Sequence, residues 1–176
     1  HEQEIELVLR AHQQVLRAAF QYCLTISLSN PELEDILKEY CRKLDLRLSV
    51  IEENKTPDGA TQVYFSKQPE DNIKFMRLSP IVFNGNTFAM LDQQEDPLIA
   101  ASLCCGILHG PNTSEYSMEY KGLKSVGAAL QVRSSSELAA KLNKLYSADK
   151  AANMGIAALD FISSGAENTD KIKCCY

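Results

Sequence analysis

The chain of 176 residues lacks any excess of positive charge: 18 Lys and Arg stand against 23 Asp and Glu, a formal net charge of −5. That balance excludes a protein built to grip nucleic-acid backbones, and a strongly basic membrane-surface protein with it. A long hydrophobic run is also missing. The longest apolar stretch, Leu98 to Leu108, is interrupted by Ser102 and Gly106 and is too short to span a bilayer. No basic start followed by an apolar core marks a signal peptide. The chain opens His1-Glu2-Gln3-Glu4 without methionine, and the expectation is an excised piece of a longer protein. The six cysteines lack CxxC spacing, and Cys104-Cys105 and Cys174-Cys175 are adjacent pairs unlike a zinc site, a redox motif or a secreted disulfide scaffold. Reduced thiols are expected, two buried as small apolar residues and two on a loose tail, in a cytoplasmic setting. No repeats and no low-complexity linkers occur.

What remains is ordinary globular composition, 45% hydrophobic and 23% charged. At roughly 150 residues per domain the length predicts one domain, with about 70% of its unfolded surface buried. Helical and strand periods alternate along it. Ile5, Val8, Leu9, His12, Leu16, Ala19 and Phe20 recur at helical spacing and predict a helix from about 4 to 22. Leu24, Ile26 and Leu28 alternate as a strand. Asn30-Pro31 starts a second helix with apolar face Leu33, Ile36, Leu37, Tyr40 and Leu44. Leu46 to Ile51 is the next strand, and Pro57-Asp58-Gly59 the clearest turn. Thr61 to Phe65 is a strand, Pro69 to Leu78 a short helix, and Ile81-Val82-Phe83 a short strand. Asp96-Pro97 starts a helix that Gly106 ends, then Ile107 to His109 is a strand. A helix from about Ser114 to Ser125 and a strand from Ala128 to Val132 follow. Ser134 with Glu137 forms a capping box for a helix to Tyr146, and Asp149 caps a final one.

Strands of this length alternating with helices predict an α/β, Rossmann-like, mostly parallel sheet with helices on both faces. Ligands of such sheets sit beyond the carboxyl ends of the strands. The segments there are Ser29-Asn30, Gln68-Pro69, Asn84 to Asp96 and Gly110 to Glu115. Gly85-Asn86-Thr87 follows a strand but is neither a GxGxxG fingerprint nor a Walker A loop; it is a strand-end turn or a nucleotide contact. Asp96 caps a helix, or accepts hydrogen bonds from ribose hydroxyls. His12 lies on the buried stripe of the first helix and reads as a packed core histidine. His109, just before Gly110-Pro111, is expected to point into the cleft. No Ser/His/Asp or Cys/His pairing and no HExxH occur, so no catalytic residue, metal site or cofactor is assigned.

Particular residues then carry a likeness. Asp96-Pro97, then Gly106-Ile107-Leu108-His109-Gly110-Pro111-Asn112-Thr113, then Val126-Gly127-Ala128-Ala129-Leu130-Gln131-Val132, resemble in order the 3-deoxy-D-manno-octulosonic acid (Kdo) transferases. That family carries a Glu-Pro helix start, a Gly-Pro-His loop and an Ala-Gly-Ala-Ala-Leu-Gln-Val strand. Met154-Gly155, Gly165-Ala166, and an opening His1-Glu2-Gln3-Glu4 with Ala11-His12 add to the likeness, which runs from His1 to about Ala166. It implies one half of a GT-B glycosyltransferase of lipopolysaccharide (lipid A) biosynthesis: a donor-binding domain over 1–166 and a carboxy-terminal tail over 167–176. The donor would be a CMP-sugar, CMP-Kdo by resemblance. The acceptor, a lipid A precursor, and the catalytic carboxylate would belong to the absent amino-terminal domain, at the inner face of the bacterial inner membrane.

By the same resemblance Asp96 would meet the donor ribose. Gly85, Asn86 and Thr87 would lie beside the nucleotide, with His109, Pro111, Asn112 and Glu115 in the loop near the phosphate. The chain also departs from the family. Its Arg-His-Pro-Glu-Arg is Ser29-Asn30-Pro31-Glu32-Leu33, its Gly-His-Asn is Leu91-Asp92-Gln93, and an Asn in its phosphate loop is Glu115. Two cationic groups are lost and carboxylates appear where a phosphate is expected, an arrangement that repels it. The alternative is therefore a catalytically silent scaffold or interaction domain with the same fold. A further expectation follows from a central parallel strand that the family runs into the opening turn. Its place should be taken by direct pairing of the flanking strands, by another chain (a homodimer through the open edge), or by the edges abutting the first helix. Lastly, Asn84 to Thr87, Asp96 and His109 to Glu115 should converge on one cleft, with Glu115 making its end acidic.

Overall fold

A computed structural model describes residues 2–28, 30, 32–51, 59–68, 70–88 and 93–173. In chain order the elements are α1 (Glu2–Leu16), β1 (Leu24–Ser27), α2 (Leu33–Lys43), β2 (Leu48–Val50), β3 (Val63–Ser66) and α3 (Asp71–Leu78). There follow β4 (Ile81–Asn84), α4 (Pro97–Ser102), β5 (Gly106–His109), α5 (Ser117–Ser125), β6 (Ala129–Gln131), α6 (Ser135–Lys144) and α7 (Ala148–Lys173). All strand pairs are parallel, in the orders β1-β3-β2 and β4-β5-β6. The α/β, Rossmann-like class read from the alternation is the one observed.

The single continuous sheet is not. Two three-stranded sheets form, one in each of two compact units, and direct pairing of the flanking strands does not occur among the described residues. One unit takes in His1–Phe75 and Ser134–Tyr146, the other Met76–Arg133 and Ser147–Tyr176, with α3 carrying the chain from one to the other.

In the first unit, α1 packs on α2 and, most extensively, on α6. Ile5 and Leu9 of α1, Leu37 and Cys41 of α2, and Val63 and Phe65 of β3 share one apolar cluster. Each fully buried Leu or Val there contributes about 1.5–3 kcal/mol relative to exposure. His12 is buried on the same stripe, and its Nε2 donates to the Gln62 carbonyl at 2.9 Å. Burial pushes its pKa down to about 4, so the ring is neutral. The core-histidine reading holds. The helix, however, ends at Leu16, where turns from Gln14 and Val15 replace it, and Phe20 is 79% exposed rather than on the apolar face. Asn30 does accept the Glu32 N–H with its side chain at 2.9 Å, though α2 starts at Leu33. Ser134 caps α6 by accepting the Glu137 N–H at 3.1 Å, as the capping box requires.

In the second unit, β5 is buried along its whole length. Its Ile107 packs with Ala100 and Ala101 of α4, Tyr120 and Leu123 of α5, and Ala158 of α7. Gly106 opens this strand instead of ending α4; α4 stops at Ser102, and Cys104 turns the chain with a left-handed φ of 62°. A side chain at Gly155 of α7 would collide with the Cys104 carbonyl, which is why the helix carries glycine there. Asp149 lies inside the first turn of α7 rather than at its cap, and α7 runs on to Lys173. Cys105 is buried and Cys104 exposed; Cys174 and Cys175, like Ser29, Pro31, Pro57, Asp58, Pro69, Leu91 and Asp92, lie outside the described residues. No helix among the described residues is long and apolar enough to cross a membrane.

Candidate functional site

The parallel register sets the site. Asn84 at the end of β4 pairs with His109 at the end of β5, and His109 with Gln131 of β6. The chain therefore leaves β4 and β5 side by side, and the segments 85–88 and 110–116 emerge at the carboxyl ends where an α/β sheet binds ligands.

Hydrogen bonds tie these segments together. Thr87 is fully buried; its hydroxyl donates to the Asn84 carbonyl at 2.8 Å and accepts the Gly110 N–H at 2.7 Å. The Thr87 carbonyl accepts the Asn112 N–H at 2.8 Å, and the Asn112 side chain donates to the Phe88 carbonyl at 2.7 Å. Gly110 can have no side chain, since a Cβ would run into the Thr87 carbonyl. Two loops far apart in sequence are thus zipped at backbone distance.

A third segment joins them. The Asn86 side chain donates to the Gln93 carbonyl at 3.1 Å, and the Gln94 amide nitrogen to the carbonyls of Asn86 at 3.3 Å and Asn112 at 3.1 Å. Those two carbonyls need a donor, which fixes the Gln94 amide orientation and leaves its buried Oε1 without a hydrogen-bond partner. Gln93 has a left-handed φ of 73°, and Asn86 of 57°. The Glu115 carboxylate accepts the Gln93 N–H at 3.0 Å with one oxygen and the Gln94 N–H at 2.8 Å with the other.

Asp96 follows directly. It is half-buried and caps α4, Oδ1 accepting the Leu98 N–H at 2.8 Å, with Pro97 at the first helical position. Such a cap is worth about 1 kcal/mol. Burial raises the pKa of Tyr116, and the carboxylates of Asp96, Glu115, Glu119 and Glu95 add to the effect. Four carboxylates thus lie near enough to act on the Tyr116 hydroxyl.

The expected residues Gly85, Asn86, Thr87, Asp96, His109, Pro111, Asn112 and Glu115 all belong to the second unit, and the segments that bear them meet. Their roles in the geometry differ. Gly85 is half-buried, while Pro111 and Glu115 are exposed. Thr87 and Asn112 hold the loops. His109 is buried rather than open to the cleft: its Nδ1 donates to the Gly110 carbonyl at 2.6 Å, and its ring lies 4.4 Å from that of Tyr120. A strand-end position next to Gly-Pro misplaced it, because the last residue of a central strand points along the buried side here. Glu115 is not a loose carboxylate beside the cleft but is fastened to the backbone of 93 and 94. Two contributors escaped the sequence reading. Tyr120, four residues after Tyr116 on the buried face of α5, accepts the Asn84 side-chain N–H at 3.0 Å, and burial raises its pKa to about 12. Helical spacing could have found it. Nothing in the sequence marks Gln94.

No protein-family model and no curated protein sequence matches the chain. Among solved structures it is similar to the crystal structure of the C-terminal CMP-Kdo binding domain of WaaA from Acinetobacter baumannii, at 18% sequence identity. The TM-score is 0.81, over 92% of this chain and 84% of that one, so the two share one fold.

Proposed function

We propose that this chain is the donor-binding domain of a Kdo-transferase-like glycosyltransferase and takes a CMP-sugar at the loops following β4 and β5. The observation that carries this reading is the fold held in common with a CMP-Kdo binding domain over 92% of the chain. The ordered likeness from Asp96 to Val132 supports it, and so does the meeting of the loops beside Asp96. In this reading Asp96 has two tasks. Oδ1 keeps α4 capped, and the other oxygen accepts from a ribose hydroxyl. The backbone at Gly85 and the 110–116 loop face the rest of the nucleotide. α5, whose Tyr116 supplies no side-chain cap, presents first-turn N–H groups toward charge developing on a departing phosphate. The acceptor, a lipid A precursor at the cytoplasmic membrane face, and the catalytic carboxylate would come from a domain outside this chain.

Titration of the chain with CMP, followed by amide NMR shifts, tests the reading. Shifts are expected at residues 85–88 and 110–116. Asp96→Ser, which keeps a good helix cap but shortens the reach, should weaken binding about tenfold while leaving the melting temperature unchanged. Absence of any shift at millimolar CMP would refute the donor reading and leave the scaffold alternative.

A further inference from the structure

The first unit has a cavity of its own, about 260 Å³ in volume and lined only by residues of that unit. It lies where α1 and α2 both end and where the chain enters β2 and β3, at the amino ends of these parallel strands. Leu16, Leu44 and Leu46 give it an apolar wall. Sites for drug-sized ligands run to roughly 300–1,000 Å³, so this one suits a small metabolite. Gln13 and Gln62 bring amides whose orientation is already set. The Gln13 Nε2 donates to the Leu44 carbonyl at 2.8 Å, which leaves its Oε1 as an acceptor. The Gln62 Oε1 accepts the Arg47 N–H at 3.0 Å, which leaves its Nε2 as a donor. Arg17 and Asp45 complete the lining from its exposed rim. Among the described residues neither of their side chains has a hydrogen bond or ion pair, so the two opposite charges share a cavity without meeting. Asp45 is held in place by the closing turn of α2, where the Leu46 N–H donates to the Cys41 carbonyl at 2.8 Å. The last carbonyls of two helices add partial negative charge, which favours a cationic group there.

We propose that this cavity binds a free α-amino acid with an apolar side chain. The α-ammonium donates to Asp45 and to the Gln13 Oε1. The α-carboxylate accepts from Arg17 and from the Gln62 Nε2, and the side chain lies on Leu16, Leu44 and Leu46. A zwitterion is the class that fits, because it offers both charges from one carbon. A simple anion leaves Asp45 facing a like charge, and a simple cation does the same to Arg17. The inference shares no residue with the donor reading and does not rest on it.

The experiment titrates the whole chain with L-leucine and follows its amides by NMR. Leucinamide, which lacks the carboxylate, and isocaproate, which lacks the ammonium, probe the two halves separately. Leucine should move the amides of residues 13–17, 44–46 and 62, and bind at least about tenfold more tightly than either analogue. Arg17→Gln should weaken leucine about tenfold and leave leucinamide unchanged. Asp45→Asn, which tolerates the same left-handed turn, should weaken leucine and leave isocaproate unchanged. Both side chains are exposed, so the melting temperature of each variant should stay at the wild-type value. No movement of those amides at millimolar leucine would overturn the site. Equal affinity for leucine and both analogues would reduce it to apolar contact and overturn it as well, as would leucine affinity unchanged in both variants.

Discussion

Thr87→Val tests the zipper that assembles the site. The hydroxyl is fully buried and serves two backbone groups, donating to the Asn84 carbonyl at 2.8 Å and accepting the Gly110 N–H at 2.7 Å. Valine fills nearly the same volume, so no cavity opens, but the Gly110 N–H loses its acceptor and the carbonyl a donor. A buried polar group left unpaired costs about 1–3 kcal/mol. Two such groups, one of them a carbonyl with a second lone pair, bring the expected loss to about 2–4 kcal/mol. In a chain of this length that lowers the melting temperature by roughly 5–15 °C. Thr87→Ser keeps the hydroxyl and should recover most of the loss. Urea titration of the three proteins measures the stability, and CMP titration the site: valine should weaken nucleotide binding, serine should not. If valine falls within about 0.5 kcal/mol of wild type, or serine is as damaging as valine, the hydroxyl is not what holds the loops.

Two further outcomes are expected. His12 has a folded pKa of about 4 against an ordinary 6.5, so the unfolded chain binds the extra proton first as pH falls. Its contribution is fully present above pH 6.5 and is lost between 6.5 and 4, amounting to about 3 kcal/mol. His12→Gln should flatten that part of the stability–pH curve, and an imidazole titrating near 6.5 by NMR would contradict the buried neutral ring. Gly155→Ala should destabilise by about 1–3 kcal/mol in thermal melts, against the better helix propensity of alanine, because the new methyl meets the Cys104 carbonyl.

Much of the fold was legible because it is written in local periods. Apolar periods together with cap and turn residues placed, in order, the thirteen elements found among the described residues, and Ser134 with Glu137 named a cap that forms. Boundaries were missed where a residue type has two uses. Gly106 reads as a helix end but begins a buried strand, while Cys104 takes the left-handed turn. The site was legible as segments and not as contacts. Asp96 and the strand-end loops follow from topology, but the grip of Glu115 on residues 93 and 94 depends on a left-handed glutamine, which no pattern of types announces. The same limit hid the order β1-β3-β2, since strand pairing is decided by contacts across long stretches of chain.

The division of the chain bears on its synthesis from the ribosome. The first unit is made of two separated pieces, and α1, which precedes the other elements described, takes its most extensive helix contact from α6 at Ser135–Lys144. Its sheet cannot start until β3 arrives, because among the described residues β1 and β2 pair only through that later strand. Once α2 is out, α1 must still wait with part of its apolar stripe uncovered while all three strands of the second unit are made. At about 5–20 residues per second that delay lasts several seconds.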